Sequence, residues 1–138
     1  MIPEVLRGRL GRPNSFMIIR QIQPNDRQFL LTWGYDLKIS HFAYIIENPL
    51  GIPVFHGCLF SHKYGPGFIE GFIASPFIEK AERRHLVKAM LDYLIRQAKA
   101  HGCKGVISTT AIPTVKQALI EAGYTEVESG LTSFYRSF

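Results

Sequence analysis

At 138 residues and 46% hydrophobic content, the chain suits a single domain that buries roughly two thirds of its unfolded surface, so no disulfide or metal staple is required. No apolar run approaches the ~20 residues of a membrane-spanning helix and no apolar signal core stands at the N-terminus, so a soluble cytoplasmic protein is expected. Cys58 and Cys103 show no metal-type spacing and read as two buried reduced thiols, and the scattered histidines (His41, His56, His62, His85, His101) form no zinc-binding pattern, so no metal is expected.

In chain order, the first sixteen residues carry three arginines, two glycines and two prolines without period and read as a basic N-terminal extension, with the domain proper over 17–138. "FMIIRQI" reads as a β-branched strand, and "QPNDRQFLLTWGYDL" as a turn and helix with Pro24 in its first turn and Asn25 or Asp26 as cap. A three-stranded meander follows, turned at Asn48–Gly51 and Tyr64–Gly67. Its third strand alternates Phe68, Glu70, Phe72 against Ile69, Gly71, Ile73, and Gly71 inside it predicts a bulge or a close backbone approach.

After Ser75-Pro76 a helix places Leu86, Met90, Leu94 and Ala98 on one stripe and ends at His101-Gly102. "KGVISTT" is a short buried strand, "PTVKQALIEAG" a helix entered at Pro113, and "LTSFYRSF" a final strand. The order β, α, three strands, α, β, α, β predicts an α+β fold with a mixed sheet.

Charge is unevenly placed: seven cations face three acids between Glu79 and Lys104. A helix N-terminus already attracts anions, so Lys80, Arg83, Arg84 and Lys88 beside one read as a solvated face, a phosphate site or a nucleic-acid footprint.

The element order, together with "SPFIEKAERRHLVKAMLDYLIRQAKAHGCKGVI" and "TVKQALIEAGYTEVE", resembles the GNAT acyltransferase superfamily from Met17 onward. The resemblance implies a three-layer fold, a central mixed sheet flanked by helices. It also implies acetyl-coenzyme A as co-substrate, and transfer of the acetyl group to an amine, on a small molecule or a protein, by direct attack in a ternary complex. The implied cofactor-binding residues are Ile73 and Ala74 at the strand end and Arg83, Arg84, His85, Leu86, Val87 and Lys88 on the helix. Glu70 stands where relatives place a general base, with His56 and His85 as alternatives. The family's usual tyrosine acid falls on Leu119, which leaves Tyr124, or else Tyr93 or Tyr135, for that role. Trp33 and Tyr35 are candidates for the acceptor cleft.

In the superfamily's pyrophosphate turn, Gln or Arg is followed by small residues that let bare backbone approach the phosphates. Here those positions carry Glu82, His85 and Val87. That departure supports a second reading, a catalytically degenerate GNAT-fold interaction or structural protein like those of short-tailed bacteriophages. A nucleic-acid-modifying relative is a third, resting on the basic arm and the pI of about 9.4. A homodimer is compatible with each.

Overall fold

The computed structural model describes residues 4–7, 16–34, 42–61, 65–110, 112–128 and 133–138. The expected first strand is present as β2 (Phe16–Gln21), with Met17 and Ile19 buried. Inside the expected extension, β1 (Glu4–Arg7) pairs antiparallel with β2 and forms a sheet edge. A 3-10 turn at Pro24–Asp26 leads into α1 (Arg27–Thr32), shorter than its sequence stretch, because the chain turns at Trp33 into Gly34 with φ of 82°. Tyr35, His41, His62 and Tyr64 lie outside the described residues.

The meander is β3 (Phe42–Glu47), β4 (Pro53–Phe60) and β5 (Pro66–Ala74). Its first turn closes on Asn48, whose Oδ1 accepts from the N–H groups of Leu50 and Ile52. Next come α2 (Lys80–Ala100), β6 (Gly105–Thr109), α3 (Pro113–Glu121), β7 (Thr125–Glu128) and β8 (Ser133–Ser137). The sheet order is β1-β2-β3-β4-β5-β6-β8-β7, antiparallel throughout except between β5 and β6. The fold is α+β with a mixed sheet, as expected. Strand β7 was not expected: "TEVE" has too few apolar residues to announce a strand, and an edge position paired only with β8 does not demand them.

Two elements position the site. The stripe Leu86, Met90, Leu94, Ala98 of α2 is fully buried against the sheet, together with Val115, Ala118 and Leu119 of α3. The helix sits close at Met90 because Gly57 of β4 places no side chain beneath it: a Cβ there would lie 2.6 Å from Met90 Cγ. Strand β3 is buried on both faces, Tyr44 and Ile46 in the α2-side cluster and Ala43 and Ile45 outside it. No helix among the described residues is long and apolar enough to cross a membrane.

Candidate active site

Strands β5 and β6 are in register only at Pro66–Phe68 and Gly105–Ile107. Beyond that they part, and a cleft of about 270 Å³ opens between Ile69–Phe72 on one wall and Ser108–Thr110 on the other, with Ile112 and Val115 at the entry of α3. A bulge bends β5 at this point: His56 pairs with Ile73 and Cys58 with Glu70, so Gly57 faces two residues, and Gly71 takes a φ of 72° that favours glycine. The sequence expectation of a bulge at Gly71 therefore holds.

Two side chains of β4 grip the bulge. His56 Nδ1–H donates to the Gly71 carbonyl at 2.7 Å, and Cys58 Sγ–H donates to the Glu70 carbonyl at 3.2 Å. Both cysteines are buried thiols, in accord with the sequence reading.

Glu70 is exposed and lines the cleft, which suits a base acting on an incoming amine. His56 does not share that access. It is fully buried, and burial holds its proton affinity below the ordinary imidazole range despite the Gly71 bond and the charge of Asp26. His85 is exposed on α2, away from the cleft wall.

Tyr124 is 5% exposed, and burial pushes its phenol well above the usual range even though Ser108 Oγ–H donates to its hydroxyl at 3.2 Å. Ser108 lines the cleft; Tyr124 reaches it through Ser108. Tyr93 is a core residue, packed edge-on to Tyr44 with ring centroids 5.0 Å apart. The side chain of Tyr135 lies outside the described residues.

A second concavity of about 630 Å³ lies between the start of α2 and α3, lined by Lys80, Ala81, Arg84, His85 and Lys88 on one bank and by α3 from Pro113 to Glu121 on the other. The spacing i, i+4, i+8 brings Lys80, Arg84 and Lys88 to one helix face. Of the helix residues expected to hold a cofactor, Arg84, His85 and Lys88 line this groove. Arg83 is exposed but outside its lining, and Leu86 and Val87 are buried core. Ile73 and Ala74 are half-buried and line neither cavity.

Helix α2 also begins earlier than the family's motif places its phosphate turn. Its N-cap is Glu79, and its first backbone bond runs from Arg83 N–H to Glu79 O, so the N–H groups outside the helical ladder belong to Lys80, Ala81 and Glu82. The positions of the family's small residues, His85 and Val87, lie inside the helix. Lys88 is engaged as well: its Nζ lies 2.8 Å from Glu121 Oε2, a contact that holds the Glu121 carboxyl below the usual range.

The contributions of Ser108, Thr109 and α3 were not read from the sequence. The available signal was the β5-α2-β6 connection, since a helical crossover makes its two strands parallel and brings both C-terminal ends to one side of the sheet.

No protein-family model and no curated protein matches this sequence. Solved structures do. The GNAT domain of S. lividans PAT superposes with a TM-score of 0.72 at 11% identity, covering 99% of this chain and 97% of that one. A spermidine N-acetyltransferase SpeG chimera from Vibrio cholerae and hSSAT gives 0.68 at 12% identity, over 88% of this chain and 95% of that one. A cAMP-binding acyltransferase from Mycobacterium smegmatis gives 0.68 at 13%, with 98% of this chain covering 47% of that one. The parting parallel pair, the bulged strand before the long helix and these superpositions together establish that this chain has the fold of the GNAT N-acetyltransferases.

Proposed function

We propose that the protein is an N-acyltransferase that moves an acetyl group from acetyl-coenzyme A to an amine by direct attack within one ternary complex. The observation that carries this reading is a carboxylate, Glu70, on the wall of the cleft where β5 and β6 part, together with a groove lined by Lys80, Arg84, His85 and Lys88; the start of α3 lines both, with Ile112 and Val115 in the cleft and Pro113 and Thr114 in the groove. The donor set fits a phosphate-bearing ligand: Arg84 offers a planar fork for two phosphate oxygens, and Lys80 and Lys88 offer point charges. The bound thioester supplies an activated acyl carbon.

Glu70 takes a proton from the attacking amine, directly or through water. The departing thiolate takes its proton from the Ser108–Tyr124 hydroxyl pair: Ser108, which lines the cleft, turns its Oγ–H from Tyr124 to the sulfur, and the Tyr124 O–H then donates back to Ser108. An amine acceptor accords with the fold-mate named as a spermidine N-acetyltransferase. On this reading, Glu70→Gln leaves affinity for acetyl-coenzyme A unchanged and lowers turnover on a responsive amine by roughly 10²-fold or more. Equal turnover of mutant and parent from about pH 6 to 9 would remove Glu70 from the mechanism.

A second reading, a GNAT-fold interaction or structural protein without acyl transfer, is favoured by two observations: helix occupies the place of the glycine turn, and Lys88 is already held by Glu121. It predicts no coenzyme A binding.

A further inference from the structure

We infer that His56 is a positioning residue for this reaction: its imidazole locks the Gly71 bulge of β5 and so fixes the carboxylate of Glu70 at the cleft. The inference rests on the acyl-transfer reading for its kinetic consequence, but not for its structural one. A bulge takes one residue out of the ladder and leaves its polar groups to find other partners. At Gly71 the carbonyl finds a side chain: it accepts from His56 Nδ1 at 2.7 Å, the short end of the N–H···O range. A carbonyl only accepts, so this contact places the imidazole proton on Nδ1.

The sequence context makes the histidine conspicuous. Strand β4 is buried continuously from Pro53 to Leu59, where an apolar side chain is the default, and His56 is fully buried in the middle of that run. A buried polar group without a matched partner is costly, so its presence points to the bond it makes. Cys58 Sγ–H holds the neighbouring Glu70 carbonyl, so β4 grips two consecutive carbonyls of the bulge.

The far side of the bulge is fixed by packing, with Phe72 against Phe55 at 5.8 Å between ring centroids. His56 therefore does not choose the strand register. It limits the motion of the two peptides nearest Glu70, and a base misplaced by about 1 Å can lose 10²-fold in rate.

The test compares two near-isosteric replacements. Asn carries an amide donor close to where Nδ1 stands, and Leu does not, while both leave a similar gap. His56→Leu should lower kcat about tenfold, the equivalent of one hydrogen bond, with the KM for acetyl-coenzyme A within about twofold of the parent. His56→Asn should recover most of that kcat. Equal kcat in the two variants, or a loss confined to KM, would overturn the assignment.

Amide hydrogen exchange at Gly71 and Phe72 gives a readout independent of turnover. It should be about tenfold faster in the Leu variant than in the Asn variant, and equal rates overturn the role. A parent protein that acylates no amine yet shows this difference in exchange would remove the acyl-transfer reading alone. Should His56→Leu not fold, His56→Met, which is unbranched and adapts to an irregular cavity, replaces it as the donor-free partner of His56→Asn in the same comparison.

Discussion

Arg20 shows how a single residue ties distant sequence together on the side of the sheet away from the groove. Its guanidinium donates from Nη1 and Nη2 to the two oxygens of Asp26 at 2.7 and 2.8 Å, and from Nε to Glu47 at 2.7 Å. Asp26 also accepts from the Gln23 N–H, closing the turn that starts α1. Burial alone would raise the Asp26 carboxyl, but the bonds from Arg20 and Gln23 and the charge of Arg20 outweigh it and hold the group below its ordinary range.

A carboxyl whose folded pKa is depressed contributes stability above its unfolded pKa, near 4, and that contribution is lost as pH falls through the folded value. Asp26→Asn should therefore cost about 3 kcal/mol at pH 7, the lower end of the range for breaking a buried pair. As pH falls below about 4 the gap between the melting curves of mutant and parent should begin to narrow, closing only below the depressed folded value; a gap that stays constant from pH 7 to pH 3 would show that the carboxylate charge is not the source. In the sequence, Asp26 was visible as a cap for α1. Its pairing with Arg20 was not, because that partner is chosen by how the turn folds back on β2.

At the scale of elements, β4 and α2 set the site, and Gly57 controls their distance. A methyl group there would meet Met90 Cγ at 2.6 Å and Phe72 Cδ1 at 3.1 Å. Met90 is fully buried, so it has little room to withdraw. Gly57→Ala should destabilise by about 1–3 kcal/mol through overpacking, measured by chemical denaturation. A neutral or stabilising effect would mean that α2 shifts freely on the sheet.

Periodicity alone located α2 and its buried stripe, because one face of a long helix must be apolar. The exact start of α2 was less legible. Nothing between Pro76 and Glu82 is a strong cap, so the family's motif suggested a turn where the chain forms helix. The cleft was not legible at all, since it arises from a loss of pairing between β5 and β6, which lie 39 residues apart in sequence at their paired positions.

At the scale of the molecule, β1 and β7 close the sheet edges, and β1 falls in the segment read as an extension. Removing residues 1–16 would expose β2 as the new edge while leaving Met17 and Ile19 in the core. We expect a chain starting at Met17 to remain folded and to melt within a few degrees of the parent; insolubility or a larger loss would make the N-terminal segment an integral part of the domain.

In the proposed enzyme, the groove between α2 and α3 receives the phosphates of coenzyme A through side-chain charge rather than bare backbone. Arg84 lines that groove and Arg83 does not. Charge-assisted bonds are worth about 1.5–3 kcal/mol each, or ~10 to 150-fold in affinity. The most direct measurement is isothermal calorimetry with coenzyme A and its 3′-dephospho form at low salt, on the parent, Arg84→Glu and Arg83→Glu. The parent should bind coenzyme A, Arg84→Glu should weaken binding by at least ~10-fold, and Arg83→Glu should leave it within a few-fold. A parent that binds neither form, or two charge reversals with the same effect, would contradict that role for the groove.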